Sequence, residues 1–290
     1  MNNLAVIKDA LTENLNKQMM PFPFDKKICS GWTTDLPKTG DTIIYTSCMY
    51  QIETIVPIFN KFLPYLSSLK SLIPLASRLK PSKQQIDRAY LILNNIVNAI
   101  KKEGIVPAYF YDEEPYSGAI LLEMGFLTEF EEYGKKVYEF FKNKGVKRII
   151  TVDPHTHNAL TRYNDFFNFD IEVISYLEIV KPKKIEGEFT IHDSCLYSRF
   201  LNLRDKYREM ITSSGIKLIE DDMLTGKDTS YCCGGPLAPV DSKVSEEMAK
   251  ERAKGLRKLS KKLLVTCPIC YATLSPHFEG EIKDIAEVLL

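Results

Sequence analysis

The sequence predicts an α/β protein of two pseudo-symmetric halves, each a mostly parallel sheet flanked by helices, with a helical insertion in the first half. Three observations lead there. Stretches of helical apolar periodicity alternate with short β-branched runs, the pattern of helix-then-buried-strand units. The two halves repeat the same local grammar. Both copies place an x-Pro-x-x signature just past a predicted strand, where open α/β sheets gather their sites.

Taken in order, residues 1–40 form an N-terminal extension. It contains a helix, a Pro-rich stretch around Pro21 and Pro23, and a loop with Trp32 in which Cys29 reads as a bystander. The first half spans 41–184 and opens on the β-rich run Asp41–Tyr45. The insertion over 61–102 is Leu/Ile-rich and helical in pattern, broken at Pro64, Pro74 and Pro81. It reads as a helical cap, with a partner-docking surface as the alternative. Thr128-x-x-Glu131 predicts a capping box, followed by Phe130, Tyr133, Val137, Phe140 and Phe141 at helical spacing. The β-branched run Arg148–Val152 comes next. The polar stretch Lys181–Glu188 marks the boundary, and the second half covers 185–290. There Glu188–His192 is a predicted strand. Asp241 or Ser242 caps a helix carrying Val244, Met248, Ala249, Leu256 and Leu259, and the strand run Leu263–Thr266 follows.

The repeat is visible residue by residue. Tyr45-Thr46-Ser47-Cys48-Met49-Tyr50 parallels His192-Asp193-Ser194-Cys195-Leu196-Tyr197, and Tyr116-Ser117-Gly118 parallels Cys232-Cys233-Gly234. Val152-Asp153-Pro154-His155-Thr156 parallels Thr266-Cys267-Pro268-Ile269-Cys270. From the glycine to the signature is 35 positions in the first copy and 33 in the second, which favours duplication over chance. The first copy keeps Cys48 and carries Tyr116, Ser117, Asp153 and Thr156 in place of the other four cysteines.

Composition narrows the class. Hydrophobic residues make up 44% of the 290, ample for a core. The 38 basic and 38 acidic residues balance, so no global basic footprint for nucleic acid is present. The N-terminal residues lack a basic stretch followed by an apolar run, and no apolar stretch approaches the roughly 18 residues of a membrane span. A cytoplasmic protein is expected, with any membrane association made through partners. In a reducing compartment, clustered cysteines read as metal ligands or catalytic groups rather than structural disulfides.

Five of the seven cysteines fall in one pattern: Cys195, then Cys232-Cys233-Gly234-Gly235, then Cys267-Pro268-Ile269-Cys270. The gaps hold 36 and 33 residues. Five thiolates exceed the four that a cubane cluster or a tetrahedral zinc takes. Cys195, Cys232, Cys233, Cys267 and Cys270 are therefore the candidate ligands and catalytic groups. Gly234 and Gly235 let backbone approach sulfur closely. Adjacent Cys232 and Cys233 point apart if extended, which suits two different irons. Three other readings of the residues stand beside this one: a structural zinc with a spare thiol, an ordinary cubane with electron-transfer duty, and a thioredoxin-like pair at Cys267 and Cys270. Cys48, His155 and His157 form a weak second metal candidate. His192 is read as a hydrogen-bonding neighbour of the ligands. The Lys/Arg-rich run Lys250–Lys262 reads as a solvated helix face, with docking of an acidic partner as the alternative.

This pattern resembles the CCG (cysteine-rich) domain family. That family includes the cysteine-rich subunit of heterodisulfide reductase, the membrane-linked counterpart of that subunit, and the iron–sulfur subunits of glycolate, lactate and anaerobic glycerol-3-phosphate dehydrogenases. The resemblance covers roughly Thr42 to the end, with the second motif complete and the first degenerate. It implies two CCG-type domains, of which the second holds one [4Fe–4S] cluster, noncubane as in heterodisulfide reductase. It further implies a heterodisulfide-reductase-like oxidoreductase subunit acting on a small thiol or disulfide. The alternative is an electron-transfer subunit of a flavin-dependent 2-hydroxyacid or glycerol-3-phosphate dehydrogenase. The ferredoxin-like Cys-x-x-Cys-x-x-Cys-x-x-x-Cys segment of many relatives is missing here. Flavin and further clusters are then expected on partner subunits of a redox complex.

Overall fold

The computed structural model describes residues 2–22, 25–55, 81–226 and 229–290. The chain divides into two compact units. One comprises Met1–Tyr90 and Val106–Ser175, the other Leu91–Ile105 and Tyr176–Leu290. Residues 61–80 of the expected insertion, with Pro64 and Pro74, lie outside the described residues. Its remainder contains one long helix, α4 (Lys83–Lys102), which follows α1 (Asn2–Gln18), α2 (Lys27–Ser30) and α3 (Met49–Glu53).

In the first unit, β1 (Thr42–Tyr45), β2 (Arg148–Thr151) and β3 (Glu172–Ser175) form a parallel sheet in the order β1-β2-β3. Ile43 and Ile44 stand beside Ile149 and Ile150, all fully buried, as β-branched residues on a covered sheet should be. After α5 (Ala119–Glu123) comes α6 (Leu127–Asn143), which buries Phe130, Tyr133, Val137 and Phe141 while Phe140 is half-buried. The ring of Phe141 meets that of Tyr45 edge-on at 5.1 Å. The expected capping box does not form. Gly125 turns the chain at φ 77°, the helix is already under way at Leu127, and its flanking residue Phe126 makes no side-chain cap bond. Thr128 therefore lies inside the first turn. Next along the chain after β2 is α7 (Pro154–Arg162).

The second unit has the same plan with one more strand. β4 (Gly187–His192), β5 (Ile216–Leu218), β6 (Lys262–Val265) and β7 (Glu281–Asp284) are parallel, in the order β5-β4-β6-β7. In the first unit the bridge between Ile43 and Ala108 stands where β5 stands here. α8 (Arg204–Ser214) precedes β5, α9 (Ser242–Leu259) precedes β6, and α10 (Pro268–Leu274) leads to β7 and α11 (Ile285–Leu289). Asp241, not Ser242, caps α9, accepting from the backbone N–H groups of Lys243 and Val244.

The buried face of α9 corrects the sequence reading. Val244 is exposed, whereas Ser245, Ala249, Arg252, Ala253 and Leu256 are buried. Positions 245, 249, 252 and 256 recur at helical spacing, so Arg252 lies on the core stripe although it belongs to the run expected to be solvated. Among the described residues, no helix is long and apolar enough to cross a membrane.

Candidate metal centre

β4 and β6 are neighbours, with His192 in register with Val265. Past their carboxyl ends the chain releases Cys195 from one strand and Cys267 from the other. Cys195 heads a short, wide helical turn, Leu196–Phe200, pinned by Ser198 Oγ donating to Ser194 O at 2.8 Å. Cys267 is extended, and Pro268 occupies the first position of α10. That helix then returns Cys270 to the same end of the sheet.

Cys232 and Cys233 arrive on the long connection after β5. Arg252 Nη1 donates to Leu224 O at 2.5 Å, Arg204 Nη2 to Thr225 O at 3.3 Å, and Arg208 Nη2 to Thr225 O at 3.4 Å. Arg199, on the turn after Cys195, donates to Ser230 O at 3.0 Å and ties the two cysteine loops together. Gly234 has φ 89°, and a Cβ there would stand 2.7 Å from Ser245 O. Ser245 Oγ also donates to Gly234 O at 2.8 Å. A Cβ on Gly235 would lie 2.7 Å from Ile269 and 3.5 Å from Cys233 Sγ. The two glycines thus let the loop fold onto α9 and α10, and their N–H groups each meet a sulfur at 3.4 Å: Gly234 to Cys232 and Gly235 to Cys233.

The five thiols influence one another electrostatically: Cys195 is shifted by Cys232, Cys232 by Cys195 and Cys233, Cys233 by Cys232 and Cys270, and Cys270 by Cys233 and Cys267. Cys233, Cys267 and Cys270 are buried among Ala253, Leu256, Leu263, Val265, Leu274 and Phe278, while Cys195 and Cys232 are partly exposed. Donation from Cys195, Cys233 and the Gly234 N–H holds the Cys232 thiol far below its ordinary value. The neighbouring sulfurs that favour the protonated form, Cys232 for Cys195 and Cys233, and Cys233 with Cys267 for Cys270, push those three thiols up, and burial adds to it.

His192 offers a ring nitrogen within 4.8 Å of the sulfurs of Cys233 and Cys270. Its Nδ1 accepts from Arg252 Nε at 3.0 Å. Burial first, and then the Arg252 charge, push the imidazole down to about 3, so it is neutral with its proton on Nε2. That tautomer leaves Nε2–H as the ring's donor. Asp193 is held by Arg208 at 2.5 and 3.0 Å and by Tyr207 Oη. The donor set fits an iron–sulfur group on three counts. It provides clustered thiols, glycine N–H groups aimed at sulfur, and a buried guanidinium nitrogen, Arg252 Nη2, with no acceptor among the described residues.

The second candidate site does not assemble. Cys48 is joined to Cys29 in a disulfide, so it has no thiolate to offer, and Cys29 is not a bystander. His155 Nδ1 sits 2.5 Å from Glu123 Oε1, and His157 Nδ1 lies 2.7 Å from Thr151 Oγ1. Burial pushes His157 down to about 4. In the first unit the positions parallel to the cysteine motif carry a disulfide at Cys48, a helix cap at Asp153 and hydrogen bonds at Ser117.

Comparison with known proteins agrees with this geometry. Residues 189–275, which contain all five cysteines, match the family described as Cysteine-rich domain (CCG). Over 224 residues the chain is 25% identical to the Probable iron-sulfur-binding oxidoreductase FadF of Bacillus subtilis (strain 168), covering 70% of this chain and 32% of that protein. Over 230 residues it is 26% identical to the EtfAB:quinone oxidoreductase of Syntrophomonas wolfei subsp. wolfei, again covering 70% of this chain and 32% of the relative. The chain thus spans about a third of the length of the curated relatives it matches. The similarity to the CCG cysteine-rich domain family covers residues 189–275.

Proposed function

We propose that this chain is an iron–sulfur subunit of a redox complex, holding one [4Fe–4S] cluster on Cys195, Cys232, Cys233, Cys267 and Cys270 and relaying single electrons. The observation that carries the reading is the gathering of five cysteines not in a disulfide past the carboxyl ends of β4 and β6, with Cys233, Cys267 and Cys270 buried in one cluster and Cys232 packed against it. When bound, such a cluster supplies one-electron chemistry with a potential tuned by charge, hydrogen bonds and exposure. The fifth thiol supports a noncubane arrangement.

The chain's own residues make the site suitable for electron relay. Three of the five cysteines are buried in an apolar cluster, which excludes water and protects sulfur from oxidation. Phe200, Tyr231 and Val240 are exposed on the loops that carry Cys195, Cys232 and Gly235, and offer apolar side chains to a docking protein. The name of the quinone oxidoreductase relative favours a flavoprotein donor.

A second reading, a heterodisulfide-reductase-like site acting on a small thiol or disulfide, is favoured by the partial exposure of Cys195 and Cys232. The two readings separate in one experiment. Anaerobically purified protein is titrated with low-molecular-weight thiols and disulfides and followed by EPR. It is then mixed with a reduced electron-transferring flavoprotein in a stopped-flow instrument. Reduction by the flavoprotein with an EPR signal indifferent to thiols supports the relay. A signal altered by thiol, without reduction by the flavoprotein, supports the disulfide reading.

A further inference from the structure

Arg252 is among the largest fully buried side chains of the protein, at 2% exposure. A guanidinium stays charged at any physiological pH, and a buried charge without a counter-charge is costly. Two of its nitrogens are satisfied, Nε by His192 Nδ1 at 3.0 Å and Nη1 by Leu224 O at 2.5 Å, and both acceptors are neutral. Nη2 is buried with no acceptor among the described residues. Asp193 is the carboxylate within electrostatic reach, but Arg208 and Tyr207 already hold it. The sulfurs of Cys270, Cys233 and Cys232 also favour the charged form of Arg252.

We propose that Arg252 is the charge-compensating and positioning residue of the cluster site. Its Nε donates to His192 Nδ1 and so holds in place a ring that has a nitrogen within 4.8 Å of the Cys233 and Cys270 sulfurs, and its Nη2–H and positive charge offset the negative charge of the thiolate-bound cluster. This rests on the iron–sulfur reading. Adding an electron from a reductant increases the negative charge beside Arg252, so the guanidinium stabilises the reduced form and holds the potential up. In the metal-free protein fewer negative sulfurs offset the same charge, so its burial costs the fold more.

The test compares Arg252→Met and Arg252→Lys with the unaltered chain. Iron and sulfide content, thermal melting of the metal-free protein, and midpoint potential are measured, the last by EPR-monitored titration with dithionite and ferricyanide. Arg252→Met is expected to lower the one-electron reduction equilibrium at least tenfold, ~59 mV. Its metal-free form is expected to melt no lower than the unaltered metal-free protein. Arg252→Lys, which keeps the charge and loses the fork, is expected to fall between. Full iron with an unchanged potential in Arg252→Met overturns the assignment. If Arg252→Met takes up no iron, uptake by Arg252→Lys supports the charge role and equal failure overturns it. An unaltered chain that itself holds no iron defeats the functional reading instead.

Discussion

Asp153 and Cys267 occupy the same place in the two units. Each is extended, at φ −144° and −145°, and each precedes a proline that begins a helix after a central strand. Asp153 spends its carboxylate on that helix, accepting from the N–H groups of His155 and Thr156. Cys267 makes no cap bond and turns its sulfur to Cys270. One backbone design thus serves as a helix cap in one unit and as the seat of a buried cysteine in the other. Asp153→Ala should cost about 1 kcal/mol of stability, the usual loss for a missing cap, and leave iron content unchanged. Chemical denaturation with iron analysis checks both.

The glycine of the second motif gives a sharper case. Gly234→Ala places a Cβ 2.7 Å from Ser245 O at a φ of 89°. Strain of roughly 1–3 kcal/mol is expected there, together with a loop that no longer presents Cys232 and Cys233. Iron per chain should fall well below that of the unaltered protein. Full occupancy in the variant would show that the loop tolerates the side chain.

Cys29 and Cys48 predict a separation of stability from metal content. Cys48→Ser removes a link between residues 19 apart and should lower stability by roughly 3 kcal/mol under oxidising conditions. The iron content should not change, because Cys48 is not among the ligands. Loss of iron in this variant would reinstate Cys48 as part of a metal site.

Glu114 gives a pH signature. Burial pushes its carboxyl up to about 8, although Thr46 donates to it from both N–H and Oγ1. The folded protein keeps this proton while the unfolded chain releases it near 4.5, so stability should fall as pH rises from about 4.5 to about 8. Glu114→Gln should flatten that decline in melts taken across the window. An unchanged slope would mean that other groups set it.

The sequence revealed some of these features and hid others for physical reasons. The ends of β4 and β6 were legible because parallel strands covered on both faces read as short apolar runs, here Phe189–Ile191 and Leu263–Val265. The five cysteines were legible because long-range bracketing by thiols has few uses. Arg252 was hidden because a charge inside a Lys/Arg-rich run reads as solvated. Only its spacing with Ser245, Ala249 and Leu256 marked it as buried. The Cys29–Cys48 link was hidden because it joins the N-terminal extension to a loop of the repeat, and no spacing rule couples the two. Thr128 was misread as a cap because the turn at Gly125 starts the helix earlier than the polar signature suggests.

The central claim, that five cysteines hold one iron–sulfur cluster, is tested most directly by iron and acid-labile sulfide analysis with EPR. Anaerobically purified protein is compared with each of the five single Cys→Ser variants. About four irons and four sulfides per chain are predicted for the unaltered protein, as a [4Fe–4S] cluster requires. Every variant should change the cluster's content or its EPR signal. Zinc without iron, or a Cys232→Ser or Cys233→Ser protein with an unaltered cluster signal, would contradict the account.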